Sequence, residues 1–169
     1  LFEVELAKES KLREVFADVE VPLVPVLVRI QRNGVSLDAD RLEKMTKSLG
    51  ERLAEVEDTV LHMVGHSFAL NSTQQLADVL FNELRLPKTK RTKTGYSTDA
   101  SVLENLKVMI NESQAEGADP RANQVLDGIL EFRELAKLKS TYVDALPQLV
   151  NPWTGRVHTS YNQTGSATG

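Results

Sequence analysis

Hydrogen-bond donors and cations are the residues of this sequence that could do chemistry, whereas nucleophiles and metal ligands are scarce. The chain has no cysteine and only three histidines, which excludes thiolate catalysis and argues against a histidine-rich metal site. It contains no Gly-x-x-x-x-Gly-Lys phosphate loop, no Gly-x-Ser-x-Gly elbow and no His-Glu-x-x-His motif. His62 and His66 are four residues apart, but no carboxylate frames them as a metal pair. We therefore predict neither a catalytic nor a metal-binding residue in this chain.

Basic residues concentrate in one short segment of an otherwise acidic chain. Residues 85 to 93 contain no acidic residue and five basic ones, which are Arg85, Lys88, Lys90, Arg91 and Lys93. The whole chain has 20 basic and 24 acidic residues and a formal charge of −4, so the rest of it is strongly acidic. A basic tip on an acidic body suits one anionic ligand at one place. The alternative explanation is an ordinary solvated polar loop.

Further donors lie where a polyanionic backbone could be bound. Asn71 and Ser72 precede a predicted short helix, and Ser97 and Thr98 precede another, directly after the basic segment. Unpaired backbone N–H groups and the helix dipole favour phosphate at such positions. The remaining donors lie on the last predicted helix and on one face of a predicted strand, and they are Lys137, Lys139, Ser140, Thr141, Tyr142, Arg156 and His158. Each group could simply cap a helix or keep the protein in solution, but together they favour a nucleic-acid backbone as the ligand.

Apolar periodicity predicts the helices that must position these residues. One helix spans Val21 to Asn33, and a much longer one runs from Asp38 to Val64 and stops at Gly65. Along the longer helix the apolar residues advance in steps of three and four, and they are Leu42, Met45, Leu49, Leu53, Val56, Val60 and Met63. A second long helix begins at Asp119 and Pro120 and continues towards Pro147. We expect the two long helices to pack side by side in antiparallel directions.

A predicted strand follows the last helix. Turn-forming residues from Asn151 to Gly155 precede an alternating segment, Arg156 to Gln163, that is typical of a strand. A single strand leaves its backbone N–H and C=O groups unpaired. We therefore expect the other strands of its sheet to lie outside this chain.

Composition sets the broad class. The chain has 169 residues and 18.8 kDa, with 41% hydrophobic, 26% charged and only 5% aromatic residues, which is typical of a soluble, mainly helical globular protein. Its longest apolar run, Val21 to Ile30, is interrupted by prolines and an arginine and is too short for a membrane span. With no cysteine and no export signal, we expect a cytoplasmic protein without membrane partners.

Two motifs carry a resemblance to a known family. They are the segments Phe132 to Tyr142 (FRELAKLKSTY) and Gly155 to Gln163 (GRVHTSYNQ), the second followed by Ala167, Thr168 and Gly169. With them the sequence resembles the thumb region of family A DNA polymerases, the bacterial DNA polymerase I type. Weaker matches fall in the family's order along almost the whole chain, at Pro22 and Leu23, Arg32 to Val35, Phe68 to Leu76, and Lys90 to Thr98.

The resemblance implies a fold and a division of the chain. The fold is mainly α, with two long antiparallel helices, short helices and a short β segment that belongs to a truncated palm. Residues 1–19 would be a connector from a preceding exonuclease-type domain, residues 20–150 the helical thumb, and residues 151–169 the first strand of the palm. The family's metal-binding aspartates would lie beyond Gly169. This segment alone should then be inactive, and Mg²⁺ is implied only for the parent polymerase.

The resemblance also implies a partner and a task. The segment would grip a double-stranded primer–template DNA through phosphate and minor-groove contacts during replication and repair synthesis, and would contact the remaining palm and fingers of the parent. The implied DNA-binding residues are Asn71, Ser72, Lys88, Lys90, Arg91, Lys93, Ser97, Thr98, Lys137, Lys139, Ser140, Thr141, Tyr142, Arg156, His158, Asn162 and Gln163. Two other functions stay open at this point. One is a free-standing helical adaptor whose basic loop binds an acidic protein, and the other is a hydrolase, which the missing catalytic motifs disfavour.

Overall fold

The chain forms two compact units that are mainly helical. A computed structural model describes residues 5–88, 91–92, 95–112, 117–163 and 165, and of residue 92 it describes the backbone alone. Unit 1 combines Leu1–Ala39 with Leu146–Gly169, and unit 2 is Asp40–Ala145. The predicted fold class, helical with a small β segment, is confirmed. The division into connector, thumb and palm stays a prediction.

Two long helices form the frame of unit 2. Helix α3 is Ala39–Val64 and helix α6 is Ala122–Leu138. Polar contacts join α3 to α6 and to the residues on either side of α6 at three levels, and they are Thr46 with Asp144, Arg52 with Glu131 and Met63 with Arg121. Since the partner's number falls from 144 to 121 as the number on α3 rises from 46 to 63, the two helices are antiparallel, as the sequence predicts. Gly65, with φ +94°, ends α3 at the predicted place.

The core of unit 2 lies between these helices and two shorter ones. Helix α4 is Thr73–Asp78, which continues as a π-helical turn over Val79–Glu83, and helix α5 is Ala100–Asn111. The fully buried side chains come from all four helices and include Val60, Leu76, Leu80, Leu103, Leu106, Leu126 and Ile129. Helix α6 also continues as a π-helical turn, over Lys139–Val143, and a 3₁₀ turn follows at Leu146–Leu149.

The helix caps agree with the sequence at one position and differ at another. Ser72 is the N-cap of α4, and its hydroxyl accepts a hydrogen bond from the Gln75 N–H at 3.4 Å. The expectation that Ser97 or Thr98 caps α5 is wrong, because the N-cap is Asp99. The Ser97 hydroxyl instead donates to Asp99 Oδ2 at 2.9 Å, so it orders the residue that begins the helix.

A continuous helical segment opens unit 1. It consists of α1 (Ser10–Val15), a π-helical turn at Phe16–Glu20 and α2 (Val21–Asn33). Gly34 ends α2 with φ +62°. None of the described helices is long and apolar enough to cross a membrane.

The strand of unit 1 finds its neighbours within this chain. Strand β5 (Arg156–Val157) pairs antiparallel with β1 (Val35–Ser36) on one side and with β4 (Val150–Asn151) on the other. The expectation that its partners lie outside the chain is therefore wrong. Strand β5 is also shorter than predicted, because the backbone leaves the sheet at His158, whose ring bonds to the carbonyl of Gln31.

A small hairpin that periodicity does not predict begins within the basic segment. Strand β2 (Arg91–Thr92) pairs antiparallel with β3 (Gly95–Tyr96). Two residues a strand are too few to show an alternating pattern in a sequence.

Candidate nucleic-acid interface

The hairpin of β2 and β3 packs on the core of unit 2 through Tyr96. The ring of Tyr96 lies 5.2 Å from the ring of buried Phe81, centroid to centroid, and the two planes are tilted by 58°. Lys88 places its ammonium 5.7 Å from the centre of the Tyr96 ring, within the range of a cation–π contact. Lys88 and Arg91 are exposed, and neither makes an ion pair within the described ranges. Lys90 and Lys93 lie outside the described residues.

The donors at the start of α4 are partly used within the protein. The Ser72 hydroxyl caps the helix, and Gln75 Oε1 accepts a hydrogen bond from the Ala69 N–H at 2.7 Å. The backbone N–H of Gln75 is thereby satisfied within the protein and is less available to an anion. Asn71 is exposed.

Ser97 and Thr98 are interior residues, and Thr98 bonds to Arg133, a residue that the sequence analysis missed. Ser97 is 8% and Thr98 4% exposed. Arg133 of α6 donates to the carbonyl oxygen of Thr98 and, at 3.2 Å, to its hydroxyl. Burial lowers the pKa of the Arg133 guanidinium, and the negative charge of Asp99 offsets part of this effect. Arg133 thus ties the segment between the hairpin and α5 to the long helix α6. Its place in the Phe132 to Tyr142 motif was the available signal.

The cluster on the last helix divides into exposed and paired residues. Lys137, Ser140, Thr141 and Tyr142 are exposed, although the Ser140 hydroxyl donates to the Ala136 carbonyl at 2.7 Å. Lys139 is half-buried, and its ammonium lies 2.5 Å from Asp144 Oδ2.

Asp144 was not singled out by the sequence analysis. Besides its bond to Lys139 it accepts a hydrogen bond from the Thr46 hydroxyl at 3.0 Å. The hydrogen bond from Lys139, helped by that from Thr46, lowers the pKa of the Asp144 carboxyl. The carboxylate therefore stays charged and neutralises Lys139.

Two candidate residues of unit 1, Arg156 and His158, contact the C-terminal end of α2. Arg156 Nη1 donates to the carbonyls of Asn33 and Gly34 at 3.3 and 3.2 Å, and His158 Nδ1 lies 2.8 Å from the carbonyl of Gln31. These carbonyls have no partner inside the helix, and a cation is favourable there. Arg156 and His158 are exposed nevertheless.

The other ring nitrogen of His158 contacts the turn before β5. Thr154 Oγ1 lies 2.7 Å from His158 Nε2. The imidazole is therefore held at both nitrogens, by the carbonyl of Gln31 and by the hydroxyl of Thr154.

The last two candidates lie beyond the strand. Gln163 donates through Nε2 to the Glu20 carboxylate at 2.5 Å and to the Glu20 carbonyl at 3.2 Å. Asn162 is exposed. Gln163 thus fixes the chain after β5 to the π-helical turn at Phe16–Glu20.

Within the described ranges, no group of three or more His, Asp or Glu side chains is arranged to hold a metal ion. Most carboxylates with partners belong to ordinary surface ion pairs, for example Glu131 with Arg52 at 2.7 Å and Asp127 with Lys107 at 2.6 Å. Unit 2 thus carries a basic hairpin strand, the Thr98–Arg133 link and a paired lysine. Unit 1 carries a donor group of its own.

Comparisons with known proteins point to one family. The model of DNA polymerase family A matches residues 39–169. DNA polymerase I of Synechocystis sp. is 42% identical over 98% of this chain, and the thermostable DNA polymerase I of Thermus thermophilus is 45% identical over 97%. The matches span only 16% and 18% of the lengths of these relatives.

A solved structure agrees with these relatives. It is described as the POL domain of Pol1 from M. smegmatis in complex with DNA primer-template and dNTP, and it is 33% identical to this chain with a TM-score of 0.78. The match covers 99% of this chain and 27% of that one.

Proposed function

This chain belongs to DNA polymerase family A, and we propose that it is the part of a DNA-directed DNA polymerase that grips the primer–template duplex during replication and repair synthesis. The observation that carries the proposal is the basic segment, residues 85–93, of a predominantly acidic chain, in which Lys88 and Arg91 are exposed. The DNA named in the description of the M. smegmatis structure supports the choice of ligand.

The contacts we propose are made mainly to phosphates. The hairpin cations Lys88, Lys90, Arg91 and Lys93 bind one stretch of backbone. Lys137, Lys139 and Tyr142, with Ser140 and Thr141, bind another near the minor groove. Such contacts are almost blind to base sequence, as a polymerase requires.

The other proposed residues differ in how far their side chains are exposed. Ser97 and Thr98 are buried, so their role is to hold the segment between the hairpin and α5 in place, Thr98 through Arg133 and Ser97 through Asp99. Ser72 offers the cap of α4 and Asn71 an exposed amide. Arg156, His158, Asn162 and Gln163 belong to a separate contact on unit 1 near the primer end.

The catalytic activity is proposed for the whole polymerase. Mg²⁺ would there stabilise the charge that develops during phosphoryl transfer. No carboxylate cluster in the described part of this chain fits that ion, so none of these residues is assigned to it. We also propose that the protein is cytoplasmic and that the remaining palm and fingers contact this segment.

Salt-dependent duplex binding tests the proposal. The 169-residue chain is titrated into a fluorescent primer–template duplex at several salt concentrations, and anisotropy gives Kd. The double variant Lys88→Ala/Arg91→Ala should weaken binding and reduce the slope of log Kd against log salt by up to about 1.8, since each lost phosphate contact removes about 0.9. The matched control is Lys11→Ala/Arg13→Ala, which removes the same charge from exposed positions of α1.

The outcome that contradicts the proposal is an equal slope for the hairpin variant and the control. An acidic peptide that competes with the duplex at similar concentration would favour the adaptor function instead. Circular dichroism of each variant checks that its helices are intact.

A further inference from the structure

An ion pair between residues five apart is unusual on a helix. In an α-helix, positions i and i+5 are separated by about 140° around the axis, so their side chains diverge. Lys139 and Asp144 nevertheless lie 2.5 Å apart, Nζ to Oδ2.

The π-helical turn at Lys139–Val143 makes this pair possible. Its wider turn lets the Asp144 N–H donate to the Lys139 carbonyl at 2.9 Å. The two side chains then leave the helix on the same side. π-Helical turns of this kind frequently occur at functional positions.

The carboxylate of Asp144 is held from a second helix. Thr46 of α3 donates to Oδ1 at 3.0 Å, while Lys139 binds Oδ2. The pair is still accessible, because the side chains of Lys139 and Asp144 remain 23% and 36% exposed. A phosphate can therefore approach Lys139, but it has to compete with a carboxylate that is already in place.

We propose that Asp144 is a built-in counter-ion that withholds the charge of Lys139 from the duplex. The inference rests on the proposed function and refines it. Lys139 adds fully to DNA affinity only when the charge of Asp144 is removed, whereas Lys137, which is exposed and makes no ion pair within the described ranges, contributes without restraint. Asp144 is a positioning residue, since it acts on the duplex through Lys139. It limits how tightly the segment holds a duplex that has to slide during synthesis.

A double-mutant cycle on the full chain tests this inference. Asp144→Asn keeps an oxygen that can accept the Thr46 hydrogen bond, removes the charge and replaces the acceptor of the Lys139 ammonium by an amide NH2, so it releases Lys139. It should tighten duplex binding about two- to fivefold, the range of an exposed ion pair, and steepen the salt slope by about 0.9. Lys139→Met should cost about two- to fivefold more in the Asp144→Asn background than in the wild type.

The control variant is Lys137→Met, whose cost should be the same in both backgrounds. Thermal unfolding verifies that the variants fold. The inference is overturned if Asp144→Asn binds the duplex no more tightly than the wild type, or if its gain survives Lys139→Met.

A second polyanion separates this inference from the proposed function. The same proteins are eluted from heparin with a salt gradient, and Asp144→Asn should elute later than the wild type. Later elution from heparin by a chain that does not bind duplex would refute the proposed function and support the counter-ion. Equal elution of the two proteins would refute the counter-ion even if the duplex binds.

Discussion

A close contact between the two long helices provides a stability test in which the effect of one substitution changes sign with the residue that faces it. Gly128 of α6 faces Val60 of α3, and a Cβ added at Gly128 would lie 2.5 Å from Val60 Cγ2. Val60 is fully buried, so its methyl group has no free space to enter. Overpacking of a core costs about 1–3 kcal/mol, while alanine gains about 1 kcal/mol over glycine in a helix. We expect Gly128→Ala to lower the free energy of unfolding by about 1 kcal/mol.

Removal of the Val60 methyl groups should reverse that sign. Val60→Ala alone should cost about 2 kcal/mol, from two buried methyl groups and the cavity they leave. In that background the added Cβ keeps only an ordinary contact, 3.9 Å from the Cβ of residue 60, so Gly128→Ala should raise the free energy of unfolding by about 1 kcal/mol. The coupling between the two sites is then about 2 kcal/mol.

Urea unfolding followed by far-UV circular dichroism measures all four proteins. Gly50→Ala on α3 is the matched control, because its Cβ would lie 3.7 Å from Lys139 Cε, an ordinary contact, and it should only stabilise. If Gly128→Ala has the same effect with and without the Val60 methyl groups, the helices are not limited by this contact and the reasoning fails.

Three further perturbations address other parts of the chain. Gly34→Ala should destabilise unit 1, because Gly34 has φ +62° and the new Cβ would lie 2.8 Å from His158 Cε1; unchanged hydrogen-exchange protection around β5 would contradict this. The hydrogen bond from Arg121 lowers the pKa of Asp119 to about 2 from 3.8, so the stabilisation by this pair is present above about pH 4 and is lost as the pH falls towards 2. Asp119→Asn should therefore flatten the dependence of the free energy of unfolding in urea on pH in that window. An equally steep dependence would refute the assignment. The hydrogen bond to Glu83 raises the pKa of His66 above 6.5, so the pair stabilises most below that pH and less as pH rises through the raised pKa; Glu83→Gln should lower the imidazole pKa in an NMR titration, and no change would show that another group sets it.

The long helices could be predicted because their information is local. The apolar steps from Leu42 to Met63 predict one apolar face, of which Val56 and Val60 are buried, and Gly65 supplies the left-handed residue that ends α3. The sheet of unit 1 could not be predicted in the same way. Strand β1 has two residues, and it joins a partner more than a hundred residues further along the chain, where neither periodicity nor turn chemistry carries a signal.

The candidate site was predictable in its charge but not in its pairing. The basic composition of residues 85–93 is visible in the sequence, and the structure adds the hairpin that begins at Arg91. The burial of Thr98 against Arg133 depends on the packing of α5 on α6. The bond between Lys139 and Asp144 depends on a π-helical turn, which an analysis based on α-helical spacing does not anticipate.

The order of strands in unit 1 has a consequence for how the chain could be rearranged. Ser36 and Asn151 both pair with Arg156, one on each side, so they are separated by two strand spacings, about 10 Å. The chain leaves for unit 2 soon after the first of them and returns shortly before the second. Inside unit 2 the Thr46 hydroxyl lies 3.0 Å from Asp144 Oδ1, so the two ends of this unit also lie close together. Neighbouring ends favour circular permutation with a linker of only a few residues, and we expect unit 2 to accept insertions and deletions in its loops without a change at these ends.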